Sequence, residues 1–249
     1  APVSEIYIPL TVTYANETFA EAATAAMNSS KTYVELIEDL ESDFEVTGTL
    51  YVNFNGYDLS GITVSGTLYG MDAATDDYTS DKAGTLTCTV AEGGKIEACK
   101  TTAEQYGSVK RYMPIPGADG TYTFHRFYMA ITKVTLRPTT AGIGYKAMFA
   151  GSDAVKNYID SYGYSMWIKE ENKLTGTKDN ETFVSMGEVT LRIDKFLKPG
   201  QDEQNAINAE TPIYGSVFVK LGNGQTLETA AYVCTFREVM EAVNNSYGS

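Results

Sequence analysis

A chain of 249 residues, 43% of them hydrophobic, is long and apolar enough to bury a core, which excludes global disorder. A formal net charge of −13 repels phosphate backbones, so nucleic acid is excluded as an expected partner, and no uninterrupted apolar stretch reaches the length of a membrane span. The 18 tyrosines, with many Thr, Val and Gly, point to pleated strands broken by turns.

The chain opens Ala1-Pro2-Val3-Ser4 without an initiator Met, as expected of a mature exported chain or a trimmed one. Residues 5–14 alternate: Ile6, Ile8, Leu10, Val12 and Tyr14 share one face, which predicts a strand. Pro9 cannot donate to a ladder and puts that strand at an edge. This segment is the candidate subunit interface. It precedes the first helix, so it is free either to pair with a neighbouring copy by strand addition or to edge its own sheet. A helix follows over 17–28, with Asn16 as N-cap and Phe19, Ala22, Ala23, Ala26 and Met27 at helical spacing. Residues 32–40 read as a strand, although Tyr33, Leu36, Ile37 and Leu40 also fit one face of a helix.

From Gly48 the signal is strand and turn. Leu50 to Phe54 runs into Asn55-Gly56, Ile62 to Val64 into Ser65-Gly66, and Leu68-Tyr69 into Gly70. Short strands at this spacing resemble rungs of a solenoid or a tightly wound sandwich; no strict internal repeat is legible. The acidic stretch 72–81 offers Asp72, Asp76, Asp77 and Asp81 as hard oxygen ligands, a candidate calcium site whose spacing is not that of an EF-hand. A solvated acidic loop is the competing reading. Strands at 84–90 and 95–100 predict a hairpin that brings Cys88 towards Cys99, the one disulfide expected in an oxidising compartment. Three buried free thiols, Cys234 included, is the alternative.

In the second half, strands are expected at 108–114, 122–136, 143–149, 164–168, 183–196 and 214–233, the last interrupted by a Gly222-Asn223-Gly224 hairpin turn. Helices are expected at 153–161, capped by Ser152, and at 236–244, where Thr235 and Glu238 form a capping box. The resulting fold class is mostly β with three short helices. Residues 1–107 form a β-solenoid- or sandwich-like module, packed against an Ig-like β-sandwich module over 108–249.

Catalytic signatures are sparse. The single histidine, His125, lies between Phe124 and Arg126 in an expected strand, a setting for a hydrogen-bonded structural imidazole rather than a general base. No G-x-S-x-G elbow, P-loop or C-x-x-C pair occurs, and the acids cluster in loops rather than as an opposed pair. The sequence therefore predicts a non-enzyme without catalytic or cofactor-binding residues. Tyr51, Tyr57 and Tyr69 would suit a sugar-stacking strip, though β-propensity alone accounts for them.

Three strings carry a resemblance: LYVNFNGYDLSG at 50–61, FHRFY at 124–128, and TLRPTTAGIGYKAMF at 135–149 followed by SYGYSMWI at 161–168. They resemble β-helix-like and β-sandwich modules of large secreted and cell-surface proteins of anaerobic, gut-type Firmicutes. The resemblance implies export, surface exposure and an architectural role, and assigns no catalytic residue. No LPxTG sorting signal occurs, which moves the expectation from wall anchorage towards assembly or release. The expected function is a structural subunit of an extracellular filament, pilus-like fibre or surface layer, joined through residues 5–14. A carbohydrate-binding or adhesin module is the alternative.

Overall fold

The computed structural model describes residues 10–14, 19–29, 31–78, 82–100, 102–137, 142–179, 186–189 and 209–247. The fold is mostly β, as expected, and its first module is a short parallel solenoid. The chain winds through β2 (Thr32–Glu35), β3 (Leu40–Glu41) and β4 (Glu45–Val46). It continues through β5 (Thr49–Asn53) and β6 (Leu59–Val64), then β7 (Thr67–Met71) and β8 (Thr85–Val90), and reaches β9 (Lys95–Ala98). One parallel sheet stacks β2, β5, β7 and β9. A second stacks β3 and β4 on β6, and β6 on β8.

Like residues fall on like residues in this stack: Thr49 pairs with Thr67, Leu50 with Leu68 and Tyr51 with Tyr69. The string Gly-Thr-Leu-Tyr at 48–51 recurs at 66–69, a repeat of 18 residues that is hard to read because it occurs only twice. Inward positions Val34, Leu50, Val52, Leu59, Ile62, Val64, Leu68 and Leu86 fill the coil. The rungs approach so closely at the corner that a Cβ on Gly66 would stand 2.1 Å from the carbonyl oxygen of Gly48. Aspartates staple the other corner: Asp39 Oδ1 accepts the N–H of Asp58 at 2.9 Å, and Asp58 Oδ1 accepts that of Thr85 at 2.8 Å.

Before the first rung, β1 (Thr11–Tyr14) pairs in parallel with β2, and helix α1 (Phe19–Met27) is the crossover between them. Phe19, Ala22, Ala23 and Ala26 bury the helix face in the solenoid core, with the Phe19 ring edge-on to Phe44 at 6.0 Å. The expected N-cap, Asn16, lies outside the described residues.

The second module is a β-sandwich. Its first sheet is built from β10 (Ser108–Pro116), β11 (Thr121–Arg137), β12 (Gly142–Ala150) and β15 (Met186–Val189), all antiparallel. The facing sheet joins β14 (Leu174–Asp179), β13 (Ile159–Trp167), β16 (Ile213–Leu221), β17 (Thr226–Glu228) and β18 (Tyr232–Cys234). Val109, Met113, Phe127 and Phe149 meet Tyr162, Val217 and Val219 between them. Helix α2 (Asp153–Tyr158) is capped by Ser152, whose Oγ accepts the Val155 N–H at 3.4 Å. Helix α3 (Phe236–Tyr247) carries the expected capping box: the Thr235 N–H reaches Glu238 at 2.8 Å and the Glu238 N–H reaches Thr235 Oγ1 at 3.2 Å. The Gly222–Gly224 turn joins antiparallel β16 and β17 as anticipated. Of the strand expected at 183–196, β15 is the described part.

Two expectations need correction. Strands 84–90 and 95–100 form no hairpin: β8 belongs to the second solenoid sheet and β9 to the first, because each pairs with the rung before it. Cys88, Cys99 and Cys234 are all buried free thiols, and burial pushes Cys88 up to about 11 and Cys99 up to about 12, so both stay protonated near neutrality. The chain passes from the last solenoid strand, which ends at Ala98, to β10, which begins at Ser108, and the two regions share a sheet. Strand β11 pairs with β8 through Thr121–Thr87, Tyr122–Leu86 and Thr123–Thr85, so one sheet runs from β15 through β12, β11, β8 and β6 to β3.

Candidate functional site

The candidate interface strand lies at the edge of the first solenoid sheet. The Thr11 N–H donates to the Lys31 carbonyl, and parallel pairing makes Thr11 and Thr13 face β2 with both backbone groups. Val12 and Tyr14 therefore aim their N–H and C=O away from β2. Among the described residues no strand pairs with that side. Their side chains are exposed, Val12 at 39% and Tyr14 at 56%, whereas Leu10 tucks against the solenoid core. Ile6 and Ile8 lie outside the described residues. The strand thus edges its own sheet, one of the two readings the sequence left open, and no described strand pairs with its outer side.

The outer face of this sheet carries an aromatic row. Tyr51 and Tyr69 stack at 4.7 Å with ring planes 12° apart, the spacing of adjacent strands, because they occupy equivalent rung positions. Each ring takes a face of the other, so neither presents two free faces to a sugar. Tyr57, in the turn after β5, does not share their strand positions.

The acidic loop is structural. Asp72 is fully buried, and its carboxylate accepts three backbone N–H groups: Gly84 at 2.7 Å, Gly56 at 2.9 Å and Ala74 at 3.0 Å. Burial pushes its carboxyl up to about 6 despite those donors. Asp76 accepts from Tyr112 Oη at 2.5 Å and from Arg126 at 3.4 Å, while Asp77 pairs with Lys82 at 3.0 Å. These oxygens are committed to separate partners and do not converge. Among the described residues no three His, Cys, Asp or Glu side chains are placed to hold a metal, and Asp81 lies outside them. The structure thus does not bring together Asp72, Asp76 and Asp77, three of the four expected calcium ligands.

This loop docks the two modules. Thr75 Oγ1 lies 3.3 Å from the Phe124 carbonyl and 3.1 Å from the Arg126 N–H. Phe124 reaches from β11 into the solenoid core and stacks on Phe54 at 5.0 Å. It enters above Gly70, where a Cβ would stand 2.0 Å from its ring. The neighbouring His125 is 1% exposed, with Nδ1 3.0 Å from Ser152 Oγ and Nε2 3.0 Å from Thr123 Oγ1. Burial drops it to about 4, so it stays neutral near neutrality. A buried neutral imidazole held by two hydroxyls fits the structural role expected of it.

A feature the sequence did not disclose is a cleft of about 660 Å³ where the last solenoid rung meets the sandwich. Ile96 and Ala98 of β9, Met113 of β10, Tyr122 of β11 and Leu227 of β17 line it. It lies where, among the described residues, no further rung stacks on β9, and its residues Ile96 and Ala98 are only partly covered. No signal short of the strand order could have located it. No known protein family, curated protein or solved structure matches the chain.

Proposed function

We propose that this chain is a secreted structural subunit of an extracellular assembly, joined to its neighbours by strand addition. The observation that carries the reading is the outer edge of β1, where, among the described residues, no strand pairs with the backbone groups of Val12 and Tyr14, which lie beside exposed apolar side chains. Such an edge templates pairing with another chain unless it is blunted by charge, proline or a bulge, and none of these occurs within Thr11–Tyr14. The welded sheet gives the subunit a stiff frame through which load passes from one module to the other. No helix among the described residues is long and apolar enough to cross a membrane. The glycan-binding alternative is the weaker one here, since the tyrosines that would stack on sugar stack on each other.

Val12→Pro tests the proposal. Proline removes the outward N–H of residue 12 and leaves the Thr11 and Thr13 bonds to β2 in place. Wild-type protein is expected to form polymers in negative-stain images and by light scattering, and the variant to remain a folded monomer. Wild type that stays monomeric at high concentration overturns the proposal.

A further inference from the structure

The first solenoid sheet has two ends. At one end β1 exposes the backbone groups of Val12 and Tyr14. At the other, among the described residues, β9 pairs with β7 alone, and Cys99, just past its end, makes an isolated antiparallel bridge to Tyr112. The Lys95 N–H donates to the Gly66 carbonyl, so parallel geometry turns Lys95 and Glu97 towards β7. Ile96 and Ala98 aim their N–H and C=O the other way, and both residues line the cleft. The cleft therefore runs along the edge of β9 that faces away from β7. One wall offers a ladder of backbone donors and acceptors, and the other walls offer apolar surface from Met113, Tyr122 and Leu227.

We infer that the cleft beside β9 is the receiving site for the β1 edge segment of a second copy of this chain, an inference that rests on the assembly reading above. The two open edges belong to the same parallel sheet and have the same strand direction. A copy whose β1 continues the sheet of its neighbour past β9 keeps every strand parallel and leaves its own β9 free for the next copy. Such a contact uses two different surfaces, so it does not close on itself and propagates as a filament. Backbone pairing supplies register and the cleft walls supply side-chain burial, the two components of strand-addition recognition. A pairing of β1 with β1 would instead be self-complementary and would end at a dimer.

Ala98→Pro blocks the receiving edge, because the Ala98 N–H faces the cleft rather than β7. Thr226→Trp, on the opposite wall, fills the cleft without altering the sequence of β9 and serves where proline disturbs the rung. Circular dichroism and the thermal midpoint establish that each variant is folded. Val12→Pro and either cleft variant are each expected to be monomeric alone. Mixed in equal amounts they are expected to form dimers and nothing larger, since the mixture holds one competent edge of each kind. Cleft variants that polymerise like wild type overturn the β9 inference while leaving assembly through β1 intact. Wild type that never polymerises overturns both. A mixture that stays monomeric shows that the two edges do not meet, and overturns the inference as well.

Discussion

The two modules solve the same packing problem in opposite ways. In the solenoid each strand rests on the one before it, so Leu50 lies on Leu68 and Tyr51 on Tyr69, and the core is a column of near-repeats. In the sandwich, residues far apart in the chain meet face to face, as Phe127 and Phe149 do with Val217 and Val219. A stack of parallel rungs ends in a first and a last strand of the same sheet, here β1 and β9. The chain closes part of one end with α1 and part of the other with Phe124, borrowed from the sandwich. Among the described residues no strand pairs with the outer edges of β1 and β9, and both proposals fall there. Repeat stacks need such caps because each rung is stabilised mainly by its neighbours.

The largest expected effect comes from removing the borrowed cap. Phe124→Ala deletes a fully buried ring and should cost about 3–5 kcal/mol. Gly70→Val should damage the same joint from the other side, since the added Cβ would stand 2.0 Å from that ring. The single tryptophan, Trp167, lies in β13 and reports on the sandwich alone, whereas far-ultraviolet dichroism reports on both modules. In wild type the two signals should be lost together in urea. In Phe124→Ala the dichroism should begin to fall first, as the solenoid comes apart while the sandwich holds. Coincident transitions in the variant would show that the shared sheet couples the modules without the ring.

How much of this was legible depended on how local the signal was. The cap of α3 was readable because Thr235 and Glu238 act within one turn, and the β16–β17 hairpin because its turn residues are adjacent. The rung arrangement was only half readable. Gly-Thr-Leu-Tyr at 48–51 and 66–69 carries the repeat, but the third rung breaks it with the 72–84 insertion. A short connection between 84–90 and 95–100 then looks like a hairpin, although the chain is turning into the next sheet. The acids of the insertion misled for a related reason. Nothing local indicates that Asp72 collects N–H groups from Gly56 and Gly84, which the coil alone brings together.

A second and smaller effect separates two buried titratable groups near the joint. Asp72 has its carboxyl raised to about 6 from an ordinary 3.8, so its contribution is fully present below 3.8 and is lost as pH rises through 6. His125 is lowered to about 4 from 6.5, so its contribution is present above 6.5 and is lost as pH falls through 4. Each shift corresponds to about 3 kcal/mol, and over pH 7 to 4 the two run in opposite directions. Asp72→Asn should therefore fall progressively further below wild type on acidification, by about 3 kcal/mol. His125→Gln should gain on wild type by a similar amount over the same range. Urea midpoints at pH 7, 5.5 and 4 decide it. Parallel curves for wild type and both variants would mean that neither group titrates as its burial implies.

The smallest effect bears on the outer face of the solenoid. Both modules stack aromatic rings across neighbouring strands: Tyr51 on Tyr69 at 4.7 Å across a parallel pair, and Trp167 on Tyr214 at 5.7 Å across an antiparallel one. Both pairs have ring planes 12° apart, so they differ chiefly in separation. Parallel in-register strands place equivalent side chains one strand spacing apart, which is near the optimum for overlapping rings. A double-mutant cycle with Tyr51→Leu and Tyr69→Leu removes the ring contact while keeping an apolar side chain on each strand. The coupling should be about 0.5–1.5 kcal/mol, the range for aromatic pairs beyond their buried area. The Trp167–Tyr214 pair, being wider apart, should give the smaller value in the same cycle. A Tyr51–Tyr69 coupling indistinguishable from zero would mean that the rings are free of each other in solution. Their faces would then be open to a ligand, and the outer face would again suit a sugar-binding strip.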